Sequence, residues 1–172
     1  MKIVAYEVRE DEAEIMKKLA GKLGIDELVT TAEPLTLDTV HLAEGAAGVT
    51  TLGQSIIDEK VCQALKNVGV KGYSTRTVGY NHVNLKAAAE AGIRVSNATY
   101  SPHGVAEYTV MLILMTLRNY KPALYRINVN DYSLNGLIGK ELHDMTVGII
   151  GTGKIGACLL YTSDAADDHR LV

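Results

Sequence analysis

Gly151, Gly153 and Gly156 fall in the pattern G-x-G-x-x-G, directly behind the apolar run VGII at 147–150 and ahead of the helix start Lys-Ile-Gly-Ala at 154–157. Glycines at this spacing suit the cradling of a diphosphate. The first permits a tight turn out of a strand. The second brings backbone up to the pyrophosphate with no Cβ in the way, and the third lets the next helix lie close on the sheet. Amides near Lys154 and Ile155, at the start of that helix, would point at the anion. The turn predicts a dinucleotide cofactor; without a ligand it would be a glycine-rich strand-to-helix turn. The second half of such a fingerprint is an acidic residue about 20 positions on, at the end of the next strand. Asp164, Asp167 and Asp168 instead fall within the polar run SDAADDHR, with no apolar strand before them, and read as a solvated tail.

Other side chains with chemical potential are isolated. Arg76 is of the type that grips carboxylates with two parallel hydrogen bonds, yet it reads as structural or surface here. His82 and His103 are lone histidines in loop and helix-start positions and read as non-catalytic. Cys62 and Cys158 are far apart and share no metal-type spacing with histidine. Two reduced thiols and no metal are the expectation.

The elements that must position these residues rest on an unusual core. The 172 residues are 47% hydrophobic but contain no Trp and no Phe, so Leu, Ile, Val, Ala and Met must fill the interior beside nine Tyr. Net charge is −3 with mixed signs, which lacks the basic footprint of a nucleic-acid binder. The longest apolar stretch, VMLILM at 110–115, is far below the ~20 residues that cross a bilayer. The opening MKIVAYEVRED has no long apolar run before its charges and does not resemble a signal peptide. A cytoplasmic protein without nucleic-acid or membrane partners is expected.

Along the chain, strand and helix alternate five times in about a hundred residues. Strands are expected at 2–8, 26–34, 46–53, from 71 to near Gly79, and in IRVSNATYSP; helices at 11–25, 37–45, 58–69 and, from the cap Asn84, to Gly92. This alternation, with continuous apolar strands, predicts a doubly wound parallel α/β sheet. The character changes near 100. GVAEYTVMLILMTLRNYKPAL reads as one long helix, too apolar to sit alone on a surface and suited to an interface. A polar, turn-rich stretch follows, and MTVGII reads as a new strand leading into the glycine turn.

Three segments give the chain a family likeness: STRTVGYNHVNLKAAAEAGIRVSN (74–97), ATYSPHGVAEYTVMLILMTLRN (98–119) and GKELHDMTVGIIGTGKIG (139–156). The chain resembles the D-isomer-specific 2-hydroxyacid dehydrogenases, most of all their D-lactate dehydrogenase branch. The resemblance implies a flavodoxin-like substrate domain over 1–99 and the truncated start of a Rossmann NAD-binding domain over 100–158, with an interface helix at 103–120. Residues 159–172 look foreign to it, similar to a translated adapter sequence.

The resemblance further implies that the backbone of Val78 and Gly79 faces the substrate carboxylate, and that Gly79, lacking a side chain, lets the loop come close to the anion. Tyr100 matches a tyrosine of the substrate pocket, or packs its ring at a hinge. Gly151, Gly153, Lys154, Ile155 and Gly156 match the turn that holds NAD. Glu107 matches a glutamate near the start of the long helix, where it favours the positive end of the helix dipole. The family's catalytic Arg, its proton-donating His and the acidic partner of that His have no matching positions here, so no catalytic residue is assigned. The implied reaction is hydride transfer between NADH and a small 2-keto acid, pyruvate and D-lactate foremost, in a family that often forms homodimers. This chain alone is expected to be inactive. A different class of function, a non-catalytic α/β ligand-binding or interaction module, is the alternative, although SDAADDHRLV neither caps nor closes a domain.

Overall fold

The computed structural model describes residues 1–164. The chain divides into two compact units, Met1–Tyr100 and the residues from Ser101 onward. In the first, five strands of four residues each form one sheet: β1 (Lys2–Ala5), β2 (Glu27–Thr30), β3 (Gly48–Thr51), β4 (Gly72–Thr75) and β5 (Arg94–Asn97). All pairings are parallel, in the order β2-β1-β3-β4-β5. This is the flavodoxin-like doubly wound order, in agreement with the strand–helix alternation of the sequence.

Helices α1 (Glu10–Lys22), α2 (Glu59–Asn67) and α3 (Leu85–Glu90) link the strands. Their ends follow local chemistry. The Asp58 carboxylate accepts from the Val61 amide and Asn84 from the Ala87 amide, each capping a helix start. Gly69 and Gly92, at φ +88° and +77°, end the helices in a conformation that costs glycine little. The expected helix at 37–45 is a single 3-10 turn, Val40–Ala43.

Right-handed crossovers fix where the helices lie. The step from β1 to β2 runs one way along the sheet and the later steps run the other, so α1 lies on the face opposite α2 and α3. The core sits on the α2 and α3 face, where Val4, Val49 and Tyr73 of the strands meet Cys62, Leu65, Ala88 and Ile93. Tyr6 fills the end of this core, its hydroxyl donating to the Thr39 carbonyl over 3.1 Å while burial pushes its pKa up to about 12.

The second unit contains α4 (His103–Leu117), α5 (Tyr120–Asn128) and α6 (Lys154–Asp164), with α4 packed against both of the others. Two expectations are corrected here. The single long helix read in GVAEYTVMLILMTLRNYKPAL is two helices, broken at Asn119, whose φ of +49° is left-handed, and the interface helix drawn at 103–120 ends at Leu117. Asn tolerates that conformation, and Pro122 sits in the first turn of α5, where its missing N–H costs nothing. Residues 145–150 form no strand. A strand needs a partner to hydrogen-bond its backbone, no other described segment of this unit is a strand, and Ile150 stands fully exposed. Helix α6 continues through Asp164 into the segment read as foreign, whereas Asp167 and Asp168 lie outside the described residues.

Candidate functional site

In open α/β sheets, ligands bind beyond the carboxyl ends of the strands, where the strand order reverses. Here that place lies between β1 and β3, beside the loop after β4. Residues 76–80 leave β4 and turn under side-chain control. The Thr75 and Thr77 hydroxyls are 2.7 Å apart, and the Thr77 hydroxyl donates to the Gly79 carbonyl over 2.7 Å. The Asn97 side-chain amide, at the end of β5, donates to the Val78 carbonyl over 2.8 Å. The Ala98 amide donates to the Thr77 carbonyl over 3.1 Å.

Three successive carbonyls are therefore tied down, and among the described residues the Val78 and Gly79 amides donate to no protein group. Val78 and Gly79 are both exposed. A Cβ built on Gly79 would meet nothing within 4 Å, so the space above it is open. Two amides with their carbonyls pinned can donate together to an anion. Tyr100 is also exposed.

Arg76 is held inside the protein through one nitrogen, while its Nε and Nη1 are buried and have no partner among the described residues. Its Nη2 donates to the Tyr6 and Glu7 carbonyls over 3.0 and 2.9 Å and lies 3.5 Å from a Glu12 carboxylate oxygen. The guanidinium ties two loops of the protein together. His82 has a buried Nε2 without a partner among the described residues, and its backbone carbonyl accepts from the Ile57 amide. His103 touches the Ser101 hydroxyl at 2.5 Å on the exposed start of α4. Glu107 is the fifth residue of α4, past the first turn, so the dipole role expected for it is not realised. Cys62 is a core residue whose thiol burial pushes up in pKa, with Asp58 adding to the shift; it is no nucleophile.

Residue reading did not single out Thr77, Asn97 or Glu7. Glu7 follows β1 with φ +55°, left-handed for a residue that is not glycine, and it is only 4% exposed. Its carboxylate accepts from the Leu52, Gln54 and Ser55 amides over 2.6, 3.1 and 2.6 Å, and from the Ser55 hydroxyl. Burial by itself would raise the carboxyl pKa, but these four donors outweigh it and hold the group below the ordinary range. The only sequence signals were an acid ending an apolar strand and polar residues at the ends of two others.

The three glycines of the turn differ in what surrounds them. Gly151 has φ +95°; a Cβ on Gly153 would meet nothing within 4 Å; a Cβ on Gly156 would overlap the Gly151 carbonyl oxygen. The turn feeds α6 at Lys154 and Ile155. A cleft of about 550 Å³, lined by Met1, Ile3, Gly48, Gly72 and Ser74, lies over the sheet near the strands' amino ends, away from the loop after β4. Among the described residues no cluster of His, Cys, Asp or Glu could hold a metal, and no helix is long and apolar enough to cross a membrane.

A flavodoxin-like parallel sheet, followed in the chain by a G-x-G-x-x-G turn, is the arrangement of a class of α/β oxidoreductases. Within that class, the chain belongs to the family described as D-isomer specific 2-hydroxyacid dehydrogenase, whose catalytic-domain profile matches residues 3–169. It is similar to an aromatic 2-oxoacid reductase of Clostridium sporogenes, 41% identical over 159 residues that cover 91% of this chain and 47% of the relative. The apo-structure of D-lactate dehydrogenase from Escherichia coli superposes with a TM-score of 0.84 at 31% identity, covering 96% of this chain and 53% of that one. The NAD-complexed D-isomer specific 2-hydroxyacid dehydrogenase of Lactobacillus delbrueckii ssp. bulgaricus gives 0.69 at 33% identity, covering 96% and 51%. The chain thus spans about half the length of these relatives.

Proposed function

We propose that these residues supply the substrate-anion site and the start of the NAD site of a D-2-hydroxyacid dehydrogenase that interconverts pyruvate and D-lactate. The observation that supports this best is the pair of exposed amides at Val78 and Gly79 that donate to no described protein group while their own carbonyls are tied by Asn97 and Thr77. They would hold the carboxylate of the 2-keto acid, with Tyr100 lining the pocket. Gly151, Gly153, Lys154, Ile155 and Gly156 would hold the diphosphate of NAD, which supplies hydride chemistry when bound. The family's substrate-binding Arg, proton-donating His and its acidic partner have no counterparts in these 172 residues, so no turnover is expected of this chain by itself. A homodimer in the cytoplasm completes this reading.

The similarity to the Clostridium sporogenes reductase favours a second reading, a larger aromatic 2-keto acid at the same site. Titrating the ¹⁵N-labelled chain with pyruvate, with phenylpyruvate and with acetate distinguishes the two. The Val78 and Gly79 amide signals are expected to move with pyruvate at lower concentration than with acetate. A stronger response to phenylpyruvate selects the aromatic reading. No response at either amide refutes the site. NADH oxidation above background by this chain with pyruvate would overturn the expectation of inactivity.

A further inference from the structure

Glu7 combines three costs at one position. It has a left-handed backbone that glycine would adopt more cheaply, a buried carboxylate, and no place in the chemistry described so far. Such combinations persist where the surroundings use them. Its four donors all come from one short loop, Leu52 to Ser55, directly after β3. The loop between those donors is in turn packed against the loop after β4. A Cβ built on Gly53, itself at φ +113°, would lie 3.2 Å from the Thr77 methyl and 3.7 Å from the His82 ring. Thr77 is the residue whose hydroxyl fixes the Gly79 carbonyl.

A second route runs the other way. The Arg76 amide donates to the Thr51 carbonyl over 2.8 Å, and its guanidinium returns to the Tyr6 and Glu7 carbonyls. Glu12, which balances the guanidinium charge, also accepts from the Arg9 amide over 3.2 Å at the start of α1. The loops after β1, β3 and β4 are therefore closed into one ring of contacts.

We propose that Glu7 is a positioning residue: by gathering the Leu52, Gln54 and Ser55 donors it presses Gly53 against Thr77 and so holds the Val78 and Gly79 amides pointed at the substrate carboxylate. The proposal rests on the reading of those two amides as the anion site. Glu7 touches neither substrate nor cofactor in it. The buried carboxylate acts only through the backbone of two loops.

The test uses ¹⁵N relaxation and pyruvate titration on the 172-residue chain, comparing wild type, Glu7→Gln and Ser55→Ala. Glu7→Gln places an NH2 among donors and breaks the set. In it, order parameters over 77–80 are expected to fall from about 0.85 to below about 0.6, and the pyruvate concentration needed to shift the Gly79 signal is expected to rise about tenfold. Order in β4 should be unchanged, a selectivity that a general loss of structure would not show. Ser55→Ala removes one donor of four and is expected to produce a smaller change in the same direction. Glu7→Gln that stays folded with a loop as ordered as wild type overturns the proposal. Should Glu7→Gln not fold, Ser55→Ala decides: wild-type order over 77–80 overturns the proposal and partial loss supports it. A wild-type chain whose Gly79 signal ignores pyruvate refutes the anion site itself, while the order parameters still report separately on whether Glu7 fixes the loop.

Discussion

Replacing Gly156 by alanine sets two opposing effects against each other at one atom. Gly156 is the third residue of α6. In an exposed helix, Gly→Ala is worth about 1 kcal/mol in favour of alanine. Here the added methyl would overlap the Gly151 carbonyl oxygen, lie 3.0 Å from the carbonyl carbon and 3.5 Å from an Ile149 methyl. The obstacle is backbone, which cannot rotate aside as a side chain can. Overpacking of this kind costs about 1–3 kcal/mol, occasionally more, and a direct overlap belongs at the upper end. The net is a loss of about 2 kcal/mol for the turn and α6. Since 1.4 kcal/mol is a factor of ten, α6 should open about thirtyfold more often. Native-state amide hydrogen exchange of α6 measures this directly. Gly153→Ala is the control: with no atom within 4 Å of the new methyl, its α6 protection should stay within about 0.5 kcal/mol of wild type. If Gly156→Ala leaves α6 as protected as wild type, or more so, then helix propensity wins and the close approach assigned to the third glycine is wrong.

Three further outcomes follow from the first unit. Leu65→Ala empties a fully buried site in the middle of the core and should cost about 2–5 kcal/mol in urea unfolding. Asn84→Ala removes the side chain that accepts the Ala87 amide; about 1 kcal/mol should be lost, read as a lower urea midpoint with an unchanged slope. The Glu7 carboxyl has a folded pKa below its ordinary 4.5, so its ionised form stabilises the fold above that ordinary value and the benefit disappears as pH falls through the lower, folded value. The stability difference between wild type and Glu7→Gln should accordingly be full at pH 7 and shrink as pH falls below 4.5 toward the lower, folded value; a difference that grows on acidification would contradict the sign.

The sheet was legible because its punctuation is local. Asp58 and Asn84 mark helix starts, Gly69 and Gly92 mark helix ends, and the short segments between them become the strands, of which the edge strands β2 and β5 are largely exposed. MTVGII carries the same local signal, but a strand is a property of a pair, and no local pattern reports the partner. The break at Asn119 was hidden by the apolar continuity of VMLILMTL, although Asn119 and Pro122 are the residues that permit it. The glycine turn was visible through its spacing. The amide geometry after β4 was not, because residue types do not say which way a peptide plane faces; that depends on Thr77 and Asn97 reaching carbonyls near and far in the chain. Glu7 was invisible for a related reason, since nothing in YEV announces a left-handed backbone.

The two outermost strands bear on how the molecule meets its own copies. β2 and β5 are only four residues long, and they begin with Glu27 and Arg94. Short borders carrying charge are poor templates for strand addition, the usual route to fibrillar deposits. The apolar side chains left in solvent on α4 and α5, among them Tyr108, Leu112, Leu124 and Ile127, have no such guard. Clumping of this protein in concentrated solution would therefore be helical and amorphous, and detergent or a charged substitution on α4 would relieve it where protecting the sheet border would not.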